Sequence, residues 1–407
     1  MAALPGGSHF FRFLLARGIS ICAYQMVTVA IGWQMYDLTR SAFNLGMVGL
    51  VQFLPSVLLV LYVGHAADRY DRRRLICCAQ IAEAMILLLL CLAARGGWLT
   101  RDLIFVLVFL IGVARAFEYT AYQTMTPSLV EAEKLPRALA INASVAQGAI
   151  IAGPMLGGFI YVAGASVVYA VCVVFFLASA ILVLLLNLRK SGAVREPASL
   201  ARLFAGFAYI RSRPVLLGAI SLDLFAVLLG GATALLPVFA RDILHTSSEG
   251  LGYLRAAPAV GALAASLWLA RFPFRRRVGG IMFSAVAVFG LATILFALSR
   301  SLPLSVGLLA VLGAADMLSV VIRSSLVQLE TPDEMRGRVS AVNSVFIGAS
   351  NQLGEFESGI TAAWFGTVPA TVLGGVGTLV VVVLWRLLFP QLASRETLHG
   401  RQGQETT

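Results

Sequence analysis

The sequence predicts an all-α membrane protein with twelve transmembrane helices in two six-helix bundles. Of its 407 residues, 59% are hydrophobic and 13% are charged, whereas a soluble domain carries about 25% charged residues. The mean hydropathy is +0.87. Short polar loops divide the chain into twelve apolar runs, each close to the roughly 20 residues that a membrane-spanning helix needs. This composition excludes a soluble enzyme, and it is too apolar for a disordered chain.

The apolar runs fall into two sets of six, which we expect to form the two bundles. The first set lies near residues 11–37, 44–66, 75–95, 102–128, 137–162 and 166–188. The second set lies near residues 214–241, 248–271, 278–299, 303–329, 337–364 and 367–389. We therefore predict an N-terminal bundle in 1–188, a cytoplasmic linker in 189–213 and a C-terminal bundle in 214–390. A short amphipathic helix is expected near 200–211, and a disordered cytoplasmic tail in 391–407.

Lysine and arginine are concentrated in alternate loops, and this bias predicts the orientation of the chain. The loops that follow even-numbered spans contain 18 of these residues, and the loops that follow odd-numbered spans contain five. Because cytoplasmic loops carry the excess of basic residues, we expect both termini in the cytoplasm. The net charge of +11 comes largely from these loops, so it does not indicate a nucleic-acid partner.

The two halves of the chain resemble each other in sequence. Pro55 lies 17 residues before an arginine run that begins at Arg72, and Pro258 lies 17 residues before one that begins at Arg275. A shift of 201 residues also superimposes identical pairs, namely Arg137/Arg338, Ala140/Ala341, Asn142/Asn343, Gly153/Gly354 and Gly158/Gly359. Parallel repeats around a binding site at the bilayer midplane are typical of secondary transporters.

The loop after the second span reads GHAADRYDRRR from Gly64 to Arg74. Glycine at position 64 permits two helices to approach closely. Asp68 is predicted to cap a neighbouring helix and to pair with an arginine, which would hold the cytoplasmic helix ends together in one state of the protein. A simple cytoplasmic anchor would account for the arginines but not for the glycine or the aspartate. The residues assigned to this motif are Gly64, Asp68, Arg69, Arg72 and Arg73.

The fifth span contains GAIIAGPMLGG, which begins at Gly148 and ends at Gly158. Small residues at this spacing favour close packing of two helices, and Pro154 is expected to kink the span. A generic packing face is the alternative interpretation of the same residues. The residues assigned to this second motif are Gly148, Gly153, Pro154, Gly157 and Gly158.

Both motifs resemble signatures of the major facilitator superfamily, the first its cytoplasmic loop motif and the second its antiporter motif. Three further stretches, which begin at Leu222, Arg336 and Leu384, are similar to the transmembrane secretion effector branch of its drug:proton antiporters. Within that branch the similarity is greatest to enterobactin (siderophore) exporters, and it covers nearly the whole chain. The resemblance implies the fold of this superfamily and proton-coupled export, by alternating access, of a siderophore or related aromatic metabolite.

Polar residues inside the spans are candidates for a substrate site, because they are costly in the membrane and usually face the bundle interior. The candidates on spans 1, 4, 10 and 11 are Arg17, Tyr24, Arg115, Tyr119, Tyr122, Asp316, Arg323 and Asn351. Arginine forms bidentate hydrogen bonds and stacks on rings, so this set suits an anionic or catechol-like substrate. Alternatively, these charges pair with one another and only hold the helices together.

Three carboxylates within the spans are candidates for carrying the coupled proton. We rank Asp223 first, Glu355 second and Glu118 third. Glu118 has Arg115 on its own helix face three residues away, whereas the other two have no cation on their own helix face within one turn. Asp223 also precedes the glycine pair 230–231, which we expect to bend the seventh span.

Other functions remain open at this stage. A multidrug or macrolide efflux pump of the same superfamily is the main alternative, since cationic drugs would be attracted to these carboxylates. A membrane sensor that does not transport is a distant alternative, against which the duplicated halves argue. The sequence contains no H-E-x-x-H, G-x-S-x-G or P-loop motif, and we expect no enzyme activity, cofactor or metal. The expected partners of the monomer are a small-molecule substrate, protons and the lipid bilayer.

Overall fold

In the computed structural model, the described residues are 7–186, 200–274 and 276–397, and they form helices and no strand. The helices of the first half are α1 (Gly7–Thr39), α2 (Ala42–Leu58), α3 (Val60–Arg69), α4 (Arg72–Gly96), α5 (Arg101–Met125), α6 (Leu135–Tyr161) and α7 (Ala165–Leu184). Then follow α8 (Leu200–Ser212), α9 (Pro214–Leu229), α10 (Leu236–Val238), α11 (Ser248–Arg271), α12 (Val278–Leu298), α13 (Leu302–Leu329), α14 (Asp333–Phe365), α15 (Thr367–Leu388) and α16 (Pro390–Ala393). The predicted all-helical fold class is confirmed.

Ten of the helical segments in the described part of the chain are long and apolar enough to cross a membrane. The other two predicted spans are also helical. The span expected near 44–66 is formed by α2 and α3, which are separated by an interruption at Leu59. The span expected near 337–364 lies within α14, a helix of 33 residues that carries several charged side chains. The seventh span is irregular, because α9 ends at Leu229 and a 3-10 turn, α10 and a π turn lead on to Ile243.

The chain forms two compact units. The first consists of Met1–Arg40, Leu50–Ala198 and Thr246–Ala256, and the second of Ser41–Gly49, Ser199–His245 and Ala257–Thr407. Each unit therefore contains most of one sequence half, together with the beginning of one span from the other half. The bundle boundaries 1–188 and 214–390 stay a prediction from the sequence.

The two units contain equivalent helix crossings. In the first unit, a Cβ atom on Gly112 would meet the backbone carbonyl of Gln52 and lie 3.1 Å from Pro55 Cγ. In the second unit, a Cβ atom on Gly313 would meet the backbone of Pro258 in the same way. The sequence shifts of 201 and 203 residues relate these glycines and prolines. The internal repeat is thus visible as a repeated packing contact, which requires glycine because the two backbones touch.

The linker helix belongs to the second unit. α8 occupies the residues predicted to be an amphipathic helix, and it packs on α14 with the rings of Phe207 and Phe346 centred 6.4 Å apart. The hydroxyl of Tyr209 donates a hydrogen bond to the backbone oxygen of Glu330 at 3.0 Å. Residues 189–199 of the predicted linker lie outside the described residues.

The C-terminal segment remains structured beyond the position where the sequence predicted disorder. α16 continues to Ala393, and the Gly279 amide at the start of α12 donates to the Arg395 oxygen at 2.9 Å. The Arg395 side chain forms an ion pair with Glu330. The backbone hydrogen bonds from Val278 and Gly279 satisfy donors at the N-terminus of α12 that would otherwise have no intrahelical partner. The predicted tail is therefore wrong for residues 391–397, and residues 398–407 lie outside the described part of the chain.

Candidate functional site

A buried carboxylate, Glu118 on α5, is the centre of a polar network inside the first unit. Its side chain is fully buried. Oε1 accepts hydrogen bonds from the Ser20 hydroxyl of α1 and, at 2.8 Å, from Gln80 Nε2 of α4. Oε2 forms an ion pair with Arg115, as the three-residue spacing on α5 indicates. The polar atoms of Glu118 are therefore satisfied, because hydrogen bonds and one cation replace the water that burial removes.

The network extends from Gln80 toward α7. Gln80 Nε2 lies 3.1 Å from the Tyr122 hydroxyl and 2.8 Å from Ser179 Oγ, and Ser179 donates to the backbone oxygen of Ala16 at 2.8 Å. Helices α1, α4, α5 and α7 are thereby joined by side-chain hydrogen bonds. The sequence analysis did not select Gln80 or Ser179. The available signal was an amide within the apolar run of the third span, where a polar side chain needs a partner.

Arginine and tyrosine side chains stack beside this network. The Arg115 guanidinium carbon lies 4.3 Å from the centre of the Tyr24 ring, and that of Arg17 lies 5.7 Å from the centre of the Tyr122 ring. Cation–π contacts of this kind hold a guanidinium over an aromatic face. The structure thus brings together four of the five predicted substrate residues of the first unit. Tyr119, the fifth, is 54% exposed on the surface of the unit.

Glu83 on α4 is a second buried carboxylate in this unit, and the sequence analysis did not select it. Its side chain is 1% exposed, and neither carboxylate oxygen has a hydrogen-bond partner. It lines a small cavity with Tyr24, Val27, Leu87, Ile111 and Phe176. An unpaired ionised carboxylate in such surroundings would be strongly unfavourable.

The second unit contains a buried ion pair that joins two helices. Arg323 Nη2 on α13 lies 3.1 Å from Asp223 Oδ2 on α9, with side-chain exposures of 2% and 7%. Arg323 Nη1 also donates to Asn343 Oδ1 of α14 at 3.0 Å. The expectation that Asp223 lacks a cation holds for its own helix but is wrong for the folded unit, because α13 supplies one.

Asp316 on α13 lines a small cavity next to this ion pair. Its side chain is half-buried, and the cavity also borders Asp223, Ser319 and Phe289. The Ser319 hydroxyl is buried without a hydrogen-bond partner. Three of the predicted residues, Asp223, Asp316 and Arg323, are thus brought to one place in the second unit.

The two predicted residues of α14 are in different surroundings. Glu355 Oε1 accepts a hydrogen bond from Thr233 Oγ1 at 3.4 Å, and a Cβ atom on Gly49 would lie 2.5 Å from Glu355 Oε2. Its carboxylate therefore packs directly on the α2 backbone. Asn351 is exposed within this unit, and its Nδ2 donates to the backbone oxygen of Ile347 in its own helix at 2.9 Å.

The loop motif after the second span fixes the start of α4. Asp71 is the N-cap of α4, and its Oδ1 accepts hydrogen bonds from the amides of Arg73 and Arg74 at 2.8 and 3.4 Å. The Arg73 side-chain hydrogen bond, supported by these amides and the guanidinium charge, holds the pKa of Asp71 below its usual value. The sequence analysis assigned capping to Asp68, whose side chain lies outside the described part. Asp71 performs that role for α4.

The arginines of the same motif connect α4 to other helix ends. Arg72 Nη1 donates to Ser128 Oγ at 3.0 Å, and Arg73 Nη1 donates to the Leu186 backbone oxygen, beyond the end of α7, at 2.7 Å. Arg69 is exposed at the end of α3, and Gly64 is half-buried within that helix. In the described residues, the arginines of the motif therefore join the start of α4 to Ser128, beyond the end of α5, and to the end of α7.

The second motif packs α6 against two other helices. Cβ atoms on Gly153 and Gly157 would lie 2.9 Å from Cys22 O and Met26 Cα of α1, and one on Gly158 would lie 2.5 Å from Ser248 O of α11. Pro154 is buried inside α6, which continues without a break. Gly148 differs from the others, because a Cβ atom there would meet no neighbour within 4 Å.

Comparison with known proteins agrees with this architecture. The chain is 27% identical to the enterobactin exporter EntS of Escherichia coli O1:K1 / APEC, over 94% of this chain and 92% of the relative. It is also 27% identical to the enterobactin exporter EntS of Citrobacter koseri, with the same coverage. A bacterial homologue of the human lysosomal transporter Spinster, solved in an inward-facing and occupied conformation, superimposes with a TM-score of 0.73. It is 13% identical, and the match covers 95% of this chain and 96% of that structure.

The family comparison covers most of the chain. Residues 13–355 match the model of the Major Facilitator Superfamily. That range includes the network around Glu118, the Asp223–Arg323 ion pair and both glycine-containing motifs. The matched range and the duplicated helical architecture show that the chain belongs to the Major Facilitator Superfamily of membrane transporters.

Proposed function

We propose that the protein is a proton-coupled exporter of a siderophore or a related aromatic secondary metabolite, and that it works by alternating access. The observation that carries this proposal is the cluster of Arg17, Arg115, Tyr24 and Tyr122 inside the first unit. Two guanidinium groups beside aromatic rings suit a substrate that is both aromatic and anionic. The curated relatives at 27% identity are named as enterobactin exporters. The substrate class to test is therefore a catechol siderophore such as enterobactin.

Arg115 is the residue on which substrate binding would depend most. Its guanidinium contacts both the Tyr24 ring and the Glu118 carboxylate. An anionic group of the substrate would be able to take the place of that carboxylate while the ring contact stays in place. Asp316, Arg323 and Asn351 are the candidate substrate residues of the second unit, and Tyr119 offers a further exposed ring in the first. Stacking and bidentate hydrogen bonding both need arginine, and lysine provides neither.

Coupling to protons would use carboxylates that gain and lose a proton during the transport cycle. Asp223, Glu355 and Glu118 remain the candidates from the sequence. The ion pair with Arg323 supports Asp223, because protonating the aspartate would free the arginine and loosen the joint between α9 and α13. In this account Gly64, Asp68 and the arginines of the loop motif stabilise one conformation, and the α6 glycines permit helices to slide past each other.

The proposed setting is the inner membrane of a bacterium, with the protein acting as a monomer and both termini in the cytoplasm. The bias of basic residues toward even-numbered loops supports this orientation. In this orientation, substrate would leave the cytoplasm while protons enter it, which is antiport.

The test is catechol secretion by an iron-limited bacterium that makes a catechol siderophore but lacks its own exporter. We expect the wild-type chain to restore secretion and Arg115→Lys to lower it, because lysine keeps the charge but loses the ring contact. Arg101→Lys is the matched control, since Arg101 is an exposed residue at the start of the same helix. Unchanged secretion together with new resistance to cationic drugs would contradict the proposal and favour the multidrug alternative.

A further inference from the structure

Glu83 is the one carboxylate in the interior of the first unit, among the described residues, whose two oxygens both lack a hydrogen-bond donor. Its neighbour one turn away on α4, Gln80, is likewise buried but makes several hydrogen bonds. Burial of a charged group without a partner is far more costly than burial of a neutral one. The surroundings of Glu83 therefore favour the neutral form of its carboxyl group over the ionised form.

The helices that pack against α4 present few charged groups to Glu83. From α5, Arg115 and Glu118 are the two charged side chains that interact with it. From α1, the cavity is lined by Tyr24 and Val27. From α7 it is lined by Phe176, and α7 itself has no charged side chain between residues 165 and 184.

The titratable groups of α7 are engaged elsewhere. The Tyr169 hydroxyl donates to Gln34 Oε1 at 2.6 Å, and Cys172 Sγ lies 3.5 Å from the Ala23 backbone oxygen. Arg115 is the cation that interacts with Glu83, and its ion pair is already formed with Glu118. Arg17, the second guanidinium of the cluster, interacts with Glu118 and lies over the Tyr122 ring. Glu83 therefore has no hydrogen-bond donor and no cation of its own, and burial in these surroundings is far less costly for a neutral carboxyl group than for an ionised one.

We propose that Glu83 is protonated, so that a neutral carboxyl group lines the apolar cavity, and that this group is a further carrier of the coupled proton. In the structure the proton is on Glu83, and Glu118 is the ionised partner of Arg115.

The assignment of the proton does not depend on the substrate. The role in coupling rests on the proposed function, and it places a proton carrier on the third span, outside the three carboxylates ranked from the sequence. Arg115 would link this carrier to the substrate cluster, because the same guanidinium contacts Tyr24.

Infrared difference spectroscopy of the full-length protein in lipid bilayers at neutral pH tests the assignment. The wild-type minus Glu83→Gln spectrum should contain the carbonyl band of a protonated carboxyl group. The wild-type minus Glu118→Gln spectrum should contain the bands of an ionised carboxylate. Asp102→Asn, which changes a carboxylate on α5 whose side chain is 77% exposed, is the control for an ionised group in water. Ionised-carboxylate bands alone in the Glu83 difference would overturn the proposal.

A second variant keeps the test informative if the first does not fold. If Glu83→Gln does not yield folded protein, Glu83→Met provides an apolar side chain of similar size, and the same difference spectrum is measured. Because a neutral carboxyl group without partners loses no hydrogen bond on replacement, we expect at least one of these variants to keep the wild-type thermal midpoint. A large loss of stability in both would contradict a neutral Glu83.

Transport in proteoliposomes tests the role in coupling. We expect Glu83→Gln to lose transport driven by a pH gradient while it retains exchange of substrate down its concentration gradient. Wild-type acceleration by the gradient in this variant would overturn the coupling role. If the wild-type protein itself does not respond to a pH gradient, the proposed proton-coupled function fails, whereas the infrared result still decides where the proton lies.

Discussion

At the scale of single residues, Asp223 and Arg323 form the buried ion pair of the second unit. Removing one partner leaves an uncompensated buried charge, which costs about 3–5 kcal/mol in proteins generally. We predict that Arg323→Met lowers the thermal midpoint strongly, and that adding Asp223→Asn restores much of the loss because no charge then remains unpaired. Thermal unfolding of the purified variants in detergent measures this. A double variant no more stable than Arg323→Met would contradict the pairing.

Asp71 provides a test that depends on pH. Its folded-state pKa is lowered, so its stabilising contribution is complete above the unfolded-state pKa of about 3.9 and is lost as pH falls through the lower folded value. Asp71→Ala should cost about 1 kcal/mol at neutral pH. Asp71→Asn should cost less, because asparagine also caps helices, and its difference from wild type should vanish in strong acid. Thermal midpoints across this pH range check the sign, and a difference that grows in acid would refute it.

A contact between two residues could be predicted from the sequence where both lie on one helix. The Glu118–Arg115 pair follows from a spacing of three residues within α5. The Asp223–Arg323 pair does not, because its members are 100 residues apart and only the packing of α9 on α13 joins them. Glu83 was not selected for the same reason. Sequence spacing does not show whether a neighbouring helix offers it a partner.

At the scale of helices, the paired crossings at Gly112 and Gly313 carry a prediction of their own. A methyl group at either position would collide with a backbone carbonyl of the crossing helix, and overpacking of this kind costs roughly 1–3 kcal/mol. We therefore expect Gly112→Ala and Gly313→Ala to lower the thermal midpoint. Gly307→Ala is the matched control, because Gly307 lies on the same helix as Gly313 and has open space around it.

The control should be neutral or slightly stabilising, since alanine has a higher helix propensity than glycine. If all three substitutions had the same effect, the close crossing would not be responsible. The sequence contained this signal, because the repeat shift that relates Arg137 to Arg338 also relates Gly112 to Gly313. It was not recognised, because a single glycine in an apolar run does not reveal which helix it touches.

The positions of the long helices were predictable from the apolar runs, whereas the interruptions within them were less predictable. The glycine pair at 230–231 was expected to bend the seventh span, and α9 ends there. The interruption at Leu59 and the ordered residues beyond Pro390 were not expected. Pro55 lies one turn before Leu59, but a proline within an apolar run does not show whether the helix is interrupted or only bent. The segment from residue 391 is held by contacts with α12 and α13 that a polar composition does not reveal.

At the scale of the whole molecule, the distribution of basic residues predicts both termini in the cytoplasm. Reporter fusions after Arg40, Arg74, Ser191 and Gln391 measure the side of the membrane on which each position lies. We expect an external signal for the first position and a cytoplasmic signal for the other three. External signals at those three positions would contradict the proposed orientation and, with it, the direction assigned to transport.

The central claim is that a proton gradient drives export of an anionic aromatic substrate. Proteoliposomes that contain the purified protein and a catechol siderophore test this most directly, with and without an imposed pH gradient. The account predicts substrate movement against its concentration gradient that depends on the pH gradient and stops when a protonophore collapses it. Identical movement with and without the gradient, or no movement of the siderophore while a cationic drug is transported, would contradict it.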